Sequence, residues 1–235
     1  MKFSRLAGSV IGGWLLLSVV TGCGSSDSKT ESTAETTTSS AKPTATKPAD
    51  SAPKKTILFY GNSLTAGYGV EPSQAFPALI GKKIDSLGLG YSIVNAGLSG
   101  ETTAGGKSRI GWVLRKPVDV FVLELGGNDG LRGLPLSATR QNLQAIIDTV
   151  RAKSPQAQIV LAGMQIPPNM GTTYANEFRE LYKQLADKNK LVLIPFLLEG
   201  VGGVQKLNQP DGIHPTVAGH RIVANTVWQV LQPIL

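Results

Sequence analysis

Thr56-Ile57-Leu58-Phe59-Tyr60-Gly61-Asn62-Ser63-Leu64 is a short apolar run that stops at a glycine and then presents a serine. Its β-prone residues predict a buried strand over Thr56 to Tyr60, and Gly61 permits a sharp backbone turn where the strand ends. Ser63 is therefore expected at the carboxyl edge of a sheet. A serine in such a turn is usually only a helix cap, so its meaning depends on what else the chain brings there.

Working outward, four more runs predict strands: Tyr91 to Asn95, Val118 to Leu125, Gln158 to Ala162 and Leu191 to Ile194. Helical patterns lie between and after them, near Gln74 to Leu87, Gly106 to Leu114, Ser137 to Lys153, Tyr174 to Lys188 and Pro215 to about Leu231. In the third of these Leu143, Ile146, Ile147 and Val150 recur at helical spacing, giving one apolar face to lay on a sheet. Alternating β and α segments predict an α/β fold of repeated βα units around a five-stranded, mostly parallel sheet. Ligands of such sheets bind beyond the carboxyl ends of the strands. The residues that follow each strand are thus the ones to search.

A partner for Ser63 stands near the other end of the chain, in Gln209-Pro210-Asp211-Gly212-Ile213-His214-Pro215. Gly212 allows a tight turn, Pro215 pushes His214 into an extended conformation, and Pro215 suits the first turn of the last helix. Serine hydroxyls are poor nucleophiles near neutrality. An imidazole must take the proton, and a carboxylate must fix the imidazole's tautomer. Asp211 and His214 have the types and spacing for that work, with Ser63 as nucleophile. The second of the two histidines, His220, lies six residues on within the helix and is expected on the surface. Two further strand ends offer donors to a developing oxyanion. One is Asn95-Ala96-Gly97-Leu98-Ser99-Gly100-Glu101-Thr102, through the Gly100 amide. The other is Leu125-Gly126-Gly127-Asn128-Asp129, through the neutral Asn128 side chain.

In order and spacing, Gly61-Asn62-Ser63-Leu64, Gly100, Gly127-Asn128-Asp129 and Asp211-Gly212-Ile213-His214-Pro215 resemble the four blocks of the GDSL or SGNH hydrolases. Leu123 to Gly133 looks most similar to the bacterial acyl-CoA thioesterase, lysophospholipase and arylesterase group. The resemblance implies hydrolysis of acyl esters, thioesters or lysophospholipids through an acyl-Ser63 intermediate. It also implies a three-layer αβα sandwich of flavodoxin-like type and an oxyanion hole from the Ser63 amide, the Gly100 amide and Asn128, with no cofactor and no metal. Within the same mechanism the alternative is a carbohydrate or cell-wall O-acetyl esterase; outside it, a non-catalytic surface lipoprotein that binds glycans or lipids. Asn62 departs from the family, which has Asp there, so hydrogen bonding beside the nucleophile is expected to differ. The family loop from Leu131 to Pro135 suggests Leu131, Leu134 and Leu136 as the lining of an acyl groove.

The amino end predicts export. Lys2 and Arg5 precede an apolar stretch over Leu6 to Val20, too short to span a bilayer. Val20-Thr21-Gly22-Cys23 then resembles a bacterial lipobox, which implies a signal peptide over 1–22, a lipid-modified Cys23 and a membrane anchor in the bacterial cell envelope. Cys23 is the sole cysteine, which excludes an intrachain disulfide and a cysteine nucleophile. The stretch 23–55 is a Ser, Thr, Pro and Lys tether unable to build a core, leaving 56–235 as the hydrolase domain. From Thr56 onward 16 basic and 12 acidic residues are scattered without a basic run interleaved with aromatics. That pattern excludes nucleic acid as an expected partner. No protein partner is expected either.

Overall fold

A computed structural model describes residues 54–235 of this chain. The expected signal peptide, Cys23 and nearly all of the expected tether lie outside the described residues. Five parallel strands form one sheet: β1 (Lys55–Gly61), β2 (Tyr91–Gly97), β3 (Val120–Glu124), β4 (Gln158–Ala162) and β5 (Val192–Ile194), in the order β2-β1-β3-β4-β5. Every pairing is parallel, so the sheet expected to be mostly parallel is wholly so. β3 is buried along its whole length, as a central strand covered on both faces must be, and its near-continuous apolar run follows from that. β2 sits at an edge and shows a mixed pattern instead.

The helices are α1 (Ser63–Ala66), α2 (Phe76–Ser86), α3 (Thr103–Val113), α4 (Gly127–Leu131), α5 (Leu136–Lys153), α6 (Thr172–Asn189) and α7 (Val217–Leu231). α2 packs with α7, while α3 packs with α5 and α5 with α6, so helices flank the sheet and complete the three layers. The expected apolar face of α5 is buried: Leu143, Ile146, Ile147 and Val150 join the core against Phe121 and Leu123. The strand order reverses between β1 and β3, and β1, β2 and β3 all end at that point. This is where an open α/β sheet leaves a crevice.

Two expectations about the last helix fail. Pro215 does not open α7. It forms an isolated antiparallel bridge with Asn208, and the helix begins at Val217 behind Thr216, whose hydroxyl accepts from the Gly219 amide as an N-cap. His220 is not on the surface but 1% exposed, stacked on Phe76 with its Nδ1 accepting from the Phe76 amide at 3.3 Å. Burial, aided by the nearness of His214, pulls its pKa down to about 4. It therefore behaves as a neutral core residue.

Candidate active site

β1 delivers Ser63 through a turn that only glycine can make at position 61. A Cβ there would collide with Thr65 Oγ1 and lie 2.5 Å from Glu124 Oε2. Asn62 caps α1, its Oδ1 accepting from the Leu64 amide at 2.9 Å. The same side chain is anchored below by Glu124, the last residue of β3, which is 1% exposed. Glu124 Oε1 accepts from Asn62 Nδ2 at 2.7 Å, and Oε2 accepts from the Asn62 amide at 3.1 Å and from Thr65 Oγ1 at 2.8 Å. Burial pushes the Glu124 pKa up to about 7, against the pull of these donors, which favour the anion. Ser63 thus stands on a buried carboxylate ledge.

His214 comes from the loop ahead of α7. Its Nε2 lies 2.8 Å from Ser63 Oγ, and its Nδ1 lies 2.6 Å from Asp211 Oδ2. Asp211 Oδ1 also accepts from the backbone amides of Ile213 at 2.9 Å and His214 at 3.0 Å, closing a turn in which Gly212 takes a φ of 71°. Hydrogen bonding from the His214 amide above all holds the Asp211 pKa down to about 2, so it is an anion across the working range. Tyr68 leans on the far face of the His214 ring with centroids 4.7 Å apart, and the Tyr68 carbonyl accepts from Gln209.

Of the expected oxyanion donors, Asn128 lines the same cavity as Ser63. Asn128, the second residue of α4, donates one Nδ2 hydrogen to the Glu101 carbonyl at 3.0 Å, which ties it to the loop carrying Gly100. Arg132 donates to the Gly100 carbonyl at 3.3 Å. Two further anchors fix this loop. Glu101 is held by both Nε and Nη2 of Arg109, at 2.7 and 2.6 Å, and Arg109 stacks over Tyr60. Asp129 accepts from the Thr103 amide at 2.9 Å and from its hydroxyl at 2.5 Å. Among the described residues no group accepts from the Ser63 or Gly100 amide.

A cavity of about 420 Å³ opens beside Ser63, Asn128 and His214. Leu131 lines it as expected; Leu134 and Leu136 do not. The Leu134 carbonyl accepts from Tyr174, and Leu136 packs on the core. The apolar wall comes instead from Met164, Ile166 and Pro167 after β4, from Phe196 and Leu198 after β5, and from Ile213. Those segments follow strands, where the search was directed, but their irregular backbone carries no periodic signal. Glu124 was also missed, because one acid within an apolar run carries no local sign of the groups it will meet.

Residues 59–222 match the GDSL-like Lipase/Acylhydrolase family. Esterase TesA of Pseudomonas aeruginosa is 43% identical over 183 residues, which cover 77% of this chain and 90% of that protein. Thioesterase 1/protease 1/lysophospholipase L1 of Escherichia coli K12 is 38% identical over 181 residues, covering 77% and 85%. A solved crystal structure of TesA superimposes with a TM-score of 0.74 at 42% identity, over 77% of this chain and 100% of that one.

Proposed function

The chain belongs to the GDSL-like lipase/acylhydrolase family, and from that premise we propose that Ser63, His214 and Asp211 are its nucleophile, general base and orienting carboxylate. It is a hydrolase of carboxylic esters and thioesters. The observation that carries the assignment is the unbroken chain of contacts from Ser63 Oγ through His214 to Asp211, at 2.8 and 2.6 Å. Ser63 Oγ attacks the acyl carbon as its proton passes to His214 Nε2, and the imidazolium that forms is stabilised by Asp211. The carbonyl oxygen gathers charge between the Ser63 amide, the Gly100 amide and the free Nδ2 hydrogen of Asn128, all neutral donors fixed beforehand. Collapse sends the proton from His214 to the departing alcohol or thiol. Water, activated by the same imidazole, then releases the acid and restores Ser63.

The cavity wall supports an acyl chain longer than acetyl as the preferred substrate, since Leu131, Met164, Ile166, Phe196 and Leu198 offer apolar contact and few polar partners. Octanoyl esters should therefore exceed acetyl esters in kcat/KM, and the reverse order would favour an O-acetyl esterase. The lipobox-like Val20-Thr21-Gly22-Cys23 supports lipid anchorage through Cys23 to a membrane of the cell envelope. Mass spectrometry of the mature protein should find the thioether, and a free Cys23 thiol would remove the anchor from the assignment.

A fluorophosphonate probe tests the triad. It should label Ser63 and no other residue by peptide mapping. Ser63→Ala should abolish labelling and lower kcat by roughly 10⁴-fold or more while the protein stays folded. Label at another serine would overturn the assignment.

A further inference from the structure

The parallel sheet gives the molecule two distinct ends. Ser63, Gly100, Asn128 and His214 stand at the carboxyl ends of the strands. α2, α3, α5, α6 and α7 all run back toward the amino ends, where the chain enters β1 at Lys55. At this second end Trp112, in the last turn of α3, is 66% exposed, the most exposed large apolar side chain of the described residues. A lone exposed apolar residue needs no explanation. Trp112 is not alone: the Arg115 guanidinium lies 4.6 Å over its ring, Arg115 and Lys116 are exposed just after the helix, and Lys107 is exposed five residues back on α3.

These cations are not spent on holding the fold. The negative end of α3 is already answered by Lys153, whose Nζ donates to the carbonyls of Gly111 at 2.8 Å and Leu114 at 3.2 Å. α3 itself contains no acid. The acids on the elements packed around it are otherwise engaged. Glu101 is held by Arg109, Asp85 faces Lys54 at 3.5 Å, Asp119 accepts from the Thr56 amide at 2.7 Å, and Asp148 accepts from Gln144, which also bonds Asn189. Lys107, Arg115 and Lys116 form no ion pair with any described residue.

We propose that this end of the domain is a docking surface for anionic phospholipid, with Trp112 as its interfacial anchor and Lys107, Arg115 and Lys116 as its headgroup contacts. An exposed amphipathic indole on an element whose cations have no acidic partner matches the boundary of an anionic bilayer, apolar below and negative at its surface. A single aromatic offers no stacking ladder for nucleic acid. Docked this way, the domain would present the mouth of its active site away from the lipid layer. The surface is independent of the catalytic assignment and of any lipid on Cys23.

The test uses residues 54–235, which match the solved relative over its whole length and so need nothing before them to fold. Their sedimentation is measured with vesicles of phosphatidylcholine, with and without phosphatidylglycerol. Binding is expected only with phosphatidylglycerol, weakening as salt is raised. Lys107→Glu with Arg115→Glu and Lys116→Glu should weaken it roughly a hundredfold, since each basic residue near an anionic surface contributes about a fivefold factor. Hydrolysis of a soluble ester should be unchanged, which shows that the variant is folded. Arg140→Glu with Lys206→Glu, at the other end, should keep full binding. Trp112 emission should shift to the blue on vesicles, and Trp112→Phe should remove that shift, the remaining Trp228 being buried. Absence of wild-type binding, undiminished binding by the triple variant, equal binding to phosphatidylcholine alone, or tighter binding to duplex DNA at the same salt would each overturn the proposal.

Discussion

The carboxylate beneath the Ser63 turn is buried and holds groups distant in sequence, whereas the carboxylate that orients His214 comes from the same loop and lies partly in water. Asn62, Thr65 and Glu124 are at most 2% exposed, and the bonds from Asn62 and Thr65 to Glu124 span about sixty residues. The Asp211 side chain is 37% exposed, and it reaches Ile213 and His214 only two and three residues away. One group is fixed by the core and the other by a turn. Damage on the first side should therefore appear as lost stability together with lost rate. Damage on the second should appear as lost rate alone.

The sharpest way to break this contrast is Asp211→Asn. The amide cannot stabilise the imidazolium, so kcat should fall roughly 10³- to 10⁴-fold. Tm should fall only slightly, because Asn can still accept from the two loop amides and the Asp211 charge, more than a third exposed, is screened by solvent. The Asp211 pKa lies below its ordinary value, so its contribution to stability is present above the usual carboxylate range and is lost only as pH falls toward about 2. The deficit of the variant should accordingly be flat between about pH 5 and pH 8. A large drop in Tm that accounts for the lost activity would make the loop structural and erase the difference between the two sides.

Glu124→Gln probes the buried side. The neutral amide must place an N–H against Asn62 Nδ2 or against the Asn62 amide and Thr65, so at least one buried donor faces another donor. That should cost about 1–3 kcal/mol and lower kcat on the order of tenfold. The sign of the pH effect follows from a raised pKa on an acid. Between its unfolded value and about 7 the folded state holds the proton more tightly, so wild-type stability declines as pH rises through that window. In the variant that slope should vanish, which thermal melts across the window would reveal. A Tm difference independent of pH would mean that Glu124 stays ionised throughout.

The smallest effect is expected from Asn62→Asp, which restores the residue the family carries. Two carboxyl groups would then stand at hydrogen-bond distance and share one proton in place of the Nδ2 hydrogen. Activity near neutrality should stay within about threefold of wild type. Stability should fall as pH rises through the upper pKa of the pair, displaced above that of Glu124 alone. A loss in kcat as large as that of Glu124→Gln would show that the Nδ2 donor itself, and not any shared proton, holds the turn.

The sequence made the framework legible because strands and helices repeat. Gln158 to Ala162 matched residue for residue, and other bounds shifted by one to three residues where caps such as Thr102 and Thr216 decide them. His220 was misplaced although a signal existed: with Val223, Ala224, Val227 and Leu231 it falls on the buried face of α7 at spacings of three and four. Ser63, His214 and Asp211 could be named because each follows a strand or opens a turn with recognisable chemistry. The wall of Met164, Ile166, Phe196 and Leu198 could not, since it exists only where two irregular segments converge. Glu124 was hidden for a related reason, as nothing local tells whether an acid at a strand's end meets water or the underside of another turn.

The contact between Ser63 and His214 joins residues 151 apart, which has a consequence for the order in which the molecule comes into being. A ribosome makes the β1, β2, β3 and Glu124 segments long before it reaches His214, and a domain folds as a unit. On the roles proposed above, the nascent chain thus carries the Ser63 hydroxyl with no base beside it. Reactivity arrives only when the closing loop and α7 settle against the rest, so a chain cut short or stalled before that point is inert toward the esters around it. In this architecture turnover certifies that synthesis has passed α7.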